Sequence, residues 1–211
     1  NFLFVTNLNY AMNFLGGTLS MKNSRVSNGG VFTAGDGAQT ATIRLLGGTN
    51  AFDNGLAITN NATLTGGGTI QATTTVYGAL SPGVAIGAIT NNGDLTLTNG
   101  SVLTIELAAY TTPGVGWDYV VVTNGALTLG GTLRVELSGG FMPTNTQSYL
   151  IMTNSQALSG VFGNAGNGSA VGVYVPPSPS AVGTMRVTLN AQSVVLDNFL
   201  PPTTGTLYFF H

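Results

Sequence analysis

Apolar and polar residues alternate with a period of two in "LTLTNGSVLTIEL" (residues 95–107), "ALTLGGTLRVEL" (126–137) and "TMRVTLNAQSVVL" (184–196). That period marks strands with one buried and one wet face. In the first run Leu95, Leu97, Leu103, Ile105 and Leu107 are expected to point inward. Thr96, Thr98, Thr104 and Glu106 then point outward. Asn, Gly or Ser bounds each run, strong helix formers are scarce, and Thr, Val, Gly and Asn dominate, so the pattern predicts an all-β chain.

The strands carry repeated punctuation. Asn-Gly begins at positions 28, 54, 92, 99, 124 and 167, and Gly-Gly-Thr recurs in "GGTL" (16–19), "GGTN" (47–50), "GGGTI" (66–70) and "GGTL" (130–133). Self-similarity at intervals of roughly 20 to 40 residues points to a repeat architecture. Asn-Gly is a hairpin signal, which favours an antiparallel β-sandwich. Gly and Asn also accept the left-handed conformation that turns the corner of a coiled stack. The sequence favours the second solution, a right-handed parallel β-helix, with the sandwich as its alternative. Repeated phrases allow a common cross-section, and Thr and Asn can stack on neighbours of the same kind. Charge is avoided, as in-register stacking at about 4.8 Å requires. At roughly 20 to 25 residues per turn the chain would form about eight to ten levels.

Residues 54–163 contain "LTGGGTI", "GALSPG", "NGDLTLTNGSVLTIEL", "WDYVVVTNGALTLGGTLRVEL", "GFMPTNTQSYLIMT" and "LSGVFGN". In order and spacing this span resembles the autotransporter-associated β-strand repeat, also called the passenger-associated transport repeat. The resemblance implies an extracellular or cell-surface β-helical protein of bacterial origin. It implies no general enzymatic activity and carries no catalytic residues over.

Only 6% of the 211 residues are charged, against about 25% in an average soluble domain. Polarity comes instead from neutral side chains, with 30 Thr and 20 Asn beside 31 Gly. Five basic residues (Lys22, Arg25, Arg44, Arg134, Arg186) and a net charge of −2 give no footprint for a phosphate backbone, so nucleic acid is not an expected partner. With no cysteine there is neither a disulfide framework nor a thiolate. No apolar run approaches the roughly 20 residues of a membrane-spanning helix. A start at Asn1 is read as a processed or trimmed product, and the expected location is extracellular or cell-surface.

Candidate chemistry is sparse. Glu106 in "LTIEL" and Glu136 in "LRVEL" hold equivalent places, and two carboxylates roughly 5 Å apart would suit a retaining glycosidase. Arg134, two residues before Glu136 on the same face, neutralises the pair, so the expected role is structural and the chain is expected not to be an enzyme. Trp117 and Tyr119 offer a weak sugar-stacking platform for surface glycans. Asp118 is placed to bond turn amides. Asp36 and Asp53 sit in Gly/Asn turns, without the repeated acids calcium requires. His211 is the lone histidine. No metal or other cofactor is expected.

Three segments are expected: residues 1–27 as an N-terminal strand for capping or assembly, 28–190 as the repeat body, and 191–211 as a C-terminal strand extension. Both ends are aromatic-rich, and Phe2, Leu3, Phe4 and Val5, with Leu207, Tyr208, Phe209 and Phe210, are the candidate assembly residues. A strand donated to the next copy gives head-to-tail contacts, which form filaments when they do not close. The function expected is a non-enzymatic structural subunit that self-assembles through these strands. The alternatives are a monomeric adhesin or glycan-binding domain, and a polysaccharide-degrading enzyme.

Overall fold

Alternating Thr, Val and Leu form the strands, and glycine determines where they bend. The computed structural model describes residues 3–6 and 9–202. The chain opens with β1 (Phe4–Val5), β2 (Asn13–Phe14), β3 (Gly17–Met21), β4 (Arg25–Val26) and β5 (Phe32–Ala34). The long β6 (Ala41–Phe52) leads through β7 (Leu56–Ile58) to the long β8 (Ala62–Gln71). Shorter strands follow: β9 (Thr74–Val76), β10 (Ala79–Pro82), β11 (Ala88–Asn92), β12 (Leu95–Leu97), β13 (Val102–Leu107), β14 (Tyr119–Thr123) and β15 (Leu127–Leu129). Last come β16 (Thr132–Leu137), β17 (Ser148–Asn154), β18 (Leu158–Gly160), β19 (Ala170–Tyr174), β20 (Ala181–Asn190) and β21 (Ser193–Leu200).

These strands make two sheets. The smaller is wholly parallel, in the order β18-β15-β12-β9-β7-β5-β2. In the larger, β8 pairs with β10 through its first half and with β11 through its second. From β10 the ladder runs through β13 and β16 to β19, and from β11 through β14 to β17. The hairpin β20–β21 then joins β19 to β17 by antiparallel pairing. The larger sheet thus closes into a ten-strand barrel of mixed direction, with β6, β3, β4 and β1 continuing beyond β8.

This corrects the expected right-handed parallel β-helix. The repeated phrases do lie parallel and in register, but the chain does not continue as identical levels. The run "TMRVTLNAQSVVL", in which period-two alternation was noted, is two strands turned about Ala191 and Gln192, and their antiparallel pairing closes the ring. The antiparallel sandwich fails for the opposite reason, since the smaller sheet is parallel throughout and most of the larger one is too.

Register explains the sequence repetition. Ile43, Leu64, Leu80, Leu103 and Leu133 face one another in succession across β6, β8, β10, β13 and β16, all buried. On the outer face of the smaller sheet, Thr75, Thr96 and Thr128 form a matching column. The five residues expected to point inward from 95–107 are all buried, within one apolar cluster that extends from Met21 to Phe199. Pairing like with like in this way suits β-branched and leucine side chains on a pleated surface.

The glycine phrases are corners. Gly66 (φ 91°) and Gly68 (φ 133°) let β8 pass from one ladder to the other without breaking. A Cβ at Gly66 would overlap the carbonyl oxygen of Leu45 in β6, whereas one at Gly139 (φ 61°) would meet open space. Gly139→Ala should therefore lose only about 1–2 kcal/mol, from the left-handed backbone alone. Gly66→Ala should lose clearly more, because backbone strain and overlap with a fixed backbone add. Urea midpoints of the two variants against the parent check this ordering.

Candidate assembly interface and neighbouring sites

The two ends of the larger sheet are finished differently, whereas the smaller sheet ends on β2 and β18, each paired on one side only among the described residues. At the far end β20 and β21 lie between β19 and β17, and Met185, Val187, Val194, Leu196 and Phe199 from the hairpin are buried. At the near end β1 pairs only with β4, β2 only with β5 and β3 only with β6 among the described residues. One edge of each strand thus presents backbone N–H and C=O groups to no neighbouring strand, which is the template for pairing with another chain.

The core is also incompletely covered there. Leu3, Val5, Met12, Phe14 and Leu19 pack against the buried cluster yet are only partly buried. Phe4, Tyr10 and Leu15 are 67%, 71% and 54% exposed. Of the sequence-predicted assembly residues, Leu3 and Val5 anchor β1: their carbonyls accept hydrogen bonds from Arg25 N–H and Ser27 N–H, each 2.8 Å. Phe4, between them, turns outward. Phe2, Leu207, Tyr208, Phe209 and Phe210 lie outside the described residues. The partial burial of Met12, Phe14 and Leu19 and the exposure of Leu15 beside them were not singled out from sequence, though "MNFLGGTL" places these apolar residues close together.

Trp117, just before β14, is buried, whereas Tyr119, the first residue of β14, is only half-buried. Trp117 is 5% exposed, and its indole N–H donates to the Leu150 carbonyl at 2.9 Å. Tyr110 stacks on it with ring centres 6.1 Å apart and planes 18° apart, while Tyr149 meets it edge-on at 5.2 Å. The aromatic surface offered to solvent here belongs to Tyr110, 50% exposed, which sequence reading did not single out. Tyr119 is half-buried on the outer face, its hydroxyl 2.7 Å from Thr153 Oγ1.

Glu106 and Glu136 are brought together as direct register partners on β13 and β16. Arg134 donates through Nε to Glu136, and its guanidinium carbon lies 4.7 Å over the ring of Tyr174 on β19. Burial, and then the charge of Glu136, push the Glu106 carboxyl above its ordinary range. The arginine holds one carboxylate of a facing pair and so offsets the repulsion that register imposes.

Asp118, beside them, is fully buried. Its two oxygens accept the N–H groups of Gly87 and Glu106, each at 2.9 Å, so it ties the start of β11 to β13 rather than closing a local turn. Burial pushes its carboxyl up to about 8 from 3.8, opposed by the N–H groups of Glu106 and Gly87. Asp36 and Asp53, the two aspartates noted in Gly/Asn turns, are exposed. Asp36 accepts the N–H groups of Ala38 and Gln39, each at 2.8 Å, and these backbone bonds hold it below its ordinary range. Asp53 takes Ser27 and Arg25 as partners, which lower it likewise. Among the described residues no three His, Cys, Asp or Glu side chains lie together as a metal site would need, and no helix is long and apolar enough to cross a membrane. His211 lies outside the described residues.

No family model matches the chain. No curated protein matches it either.

Because the folded state retains the Asp118 proton up to about pH 8 while the unfolded chain releases it near 3.8, its contribution to stability is fullest below pH 4 and is lost as pH rises through 8. Glu106 adds to the loss in the same direction. Stability should fall between pH 5 and 8 by up to about 1.4 kcal/mol per pH unit for one retained proton. Asp118→Asn should be less stable, since an amide cannot accept both N–H groups, and should flatten that slope. Chemical denaturation of both proteins across this range is the check.

Proposed function

We propose that this chain is a non-enzymatic structural subunit of the cell surface or extracellular space, assembling head-to-tail with copies of itself. The observation that carries this reading is the contrast between the ends of the larger sheet. In the larger sheet the near end leaves β1 and β3 with open edges over partly buried apolar residues and the far end is sealed by a hairpin, while the smaller sheet ends on β2 and β18, each paired on one side only among the described residues. A strand from a second copy laid along the open edge would complete the ladder and cover Leu3, Val5, Met12, Phe14 and Leu19 together. Main-chain bonds supply affinity in such strand addition, and alternate side chains supply register.

The donor segment is "TLYFFH" (206–211), which follows Pro201 and Pro202 after β21. Proline cannot extend a ladder, so the pair separates the closing strand from the donor. The extracellular placement is supported by low charge, the lack of cysteine and the resemblance of residues 54–163 to passenger repeats. Glu106 and Glu136 support no catalytic role, because Arg134 engages Glu136 and leaves the two carboxylates as a structural register pair.

A second reading rests on Tyr110, whose ring is held rigid against Trp117 with one side open to solvent. A fixed aromatic face of this kind suits stacking on a neutral sugar ring. On that reading the chain is a glycan-binding domain, and Tyr110→Ala should abolish binding on a glycan array while leaving the fold intact by circular dichroism.

Assembly is tested by negative-stain imaging and light scattering. The parent should form filaments that lengthen with concentration. Leu15→Glu and the chain truncated after Pro202 should each remain monomeric. A parent that stays monomeric at high concentration, or a truncated chain that still forms filaments of full length, would refute the strand-donation reading.

A further inference from the structure

Three neighbouring strands of the smaller sheet, β5, β7 and β9, end on the paired residues Ala34, Ile58 and Val76, and directly after them come Gly35, Thr59 and Tyr77. The columns of the sheet pair like with like, but this row holds no side chain, a hydroxyl and an aromatic ring. The surface is therefore hollow between the loop at Gly35 and the ring of Tyr77, two strand spacings or about 10 Å away. The hollow is a cavity of about 480 Å³, within the roughly 300–1,000 Å³ of small-molecule sites. Tyr77, 45% exposed, supplies an aromatic wall, and Asp36 and Asn60 line the cavity from the loops that follow β5 and β7.

The backbone around this cavity is pinned. The Gly35 N–H donates to the Phe14 carbonyl at 2.7 Å, Thr59 N–H to the Ala34 carbonyl at 2.9 Å and Tyr77 N–H to the Ile58 carbonyl at 2.8 Å. The Thr59 hydroxyl also donates to the Ala34 carbonyl, and the Asn61 amide donates to the Gly37 carbonyl. A Cβ at Gly35 would overlap Thr59 Oγ1, so only glycine lets the two loops lie this close. Asp36 accepts the N–H groups of Ala38 and Gln39 through one oxygen, Oδ1, which fixes the carboxylate and leaves Oδ2 to a ligand. The Asn60 amide and the Tyr77 hydroxyl have no hydrogen-bond partner among the described residues. A ligand thus meets groups already in place, and binding it costs little ordering.

The lining selects the class of ligand. Among the described residues Asp36 is its one charged group, so an anion is repelled, and one carboxylate is too few for calcium. A quaternary ammonium calls for a cage of several rings, whereas Tyr77 stands alone in the lining. A neutral sugar uses every group: its C–H face stacks on the Tyr77 ring, one hydroxyl donates to Asp36 Oδ2, and another exchanges hydrogen bonds with the Asn60 amide. We infer that this cavity is a binding site for a neutral sugar residue, with Tyr77 as its stacking wall and Asp36 and Asn60 as the groups that read its hydroxyls. It shares no residue with the Tyr110 face, and neither the site nor its test depends on assembly.

The test is a titration of the full chain with the methyl glycosides of glucose, galactose, mannose and N-acetylglucosamine at millimolar concentrations, followed by saturation-transfer NMR. Choline and glucuronate serve as the cationic and anionic comparisons. At least one glycoside should bind, and more tightly than either comparison. Tyr77→Ala and Asp36→Asn should each weaken it about tenfold or more. Asparagine can still accept the Ala38 and Gln39 N–H groups, so Asp36→Asn removes the ligand contact without freeing the loop. Tyr77→Phe keeps the ring and should lose no more than about threefold. Circular dichroism confirms that each variant is folded. Silence from every glycoside, binding unchanged in both Tyr77→Ala and Asp36→Asn, or choline as the tighter ligand overturns the assignment. A glycoside lost in Tyr110→Ala but kept in Tyr77→Ala sits on the exposed tyrosine, in which case that reading stands and this site falls.

Discussion

Parallel strands in register must exchange their backbone hydrogen bonds with the strand on either side, and the rest of this molecule follows from maintaining that register. Like residues then face like. Leucine gains from the arrangement, as the column from Ile43 to Leu133 illustrates, and threonine tolerates it on the wet face. Charge does not. Where two glutamates do fall opposite one another, at Glu106 and Glu136, an arginine on the same strand engages one of them. Register also leaves a last strand at each end without a neighbour. In the larger sheet one end answers with an antiparallel hairpin and the other presents its edge; the smaller sheet presents an edge at both β2 and β18.

Much of this was legible in the sequence. Period-two alternation located the strands and their buried faces, and the near-duplicate phrases "LTIEL" and "LRVEL" placed Glu106 against Glu136, as the register has them. The direction of pairing was not legible, because alternation is the same in parallel and antiparallel strands. The hairpin at Ala191 and Gln192 lacks the Asn-Gly turn that marks many two-residue connections, so the alternation in "TMRVTLNAQSVVL" did not reveal the turn within it and the closure of the sheet was missed. Asn-Gly itself was ambiguous, serving here between parallel strands as readily as in hairpins.

The partners of Asp118 and the exposure of Tyr110 were hidden for a different reason. Asp118 bonds Gly87, thirty-one residues earlier, and Glu106, twelve earlier. Neither separation has a local sequence signal, since each depends on how far the 108–116 excursion carries the chain before it rejoins the sheet. The same excursion places Tyr110 over Trp117, burying the tryptophan that was expected to face a sugar and exposing a tyrosine for which nothing was expected. Composition identifies aromatic residues; only the path of the loop determines which of them faces water.

The columns of neutral side chains have a consequence for the setting in which the protein can work. Among the described residues three ion pairs, Arg25–Asp53, Arg134–Glu136 and Arg186–Asp197, supply the charged contacts, and in each the arginine is more than a third exposed. Dissolved ions weaken such pairs, but they leave stacked leucine, threonine hydroxyls and backbone ladders almost untouched. A stack held together in this way is nearly indifferent to salinity, so the same subunit would keep its form in fresh water, brine or a drying film.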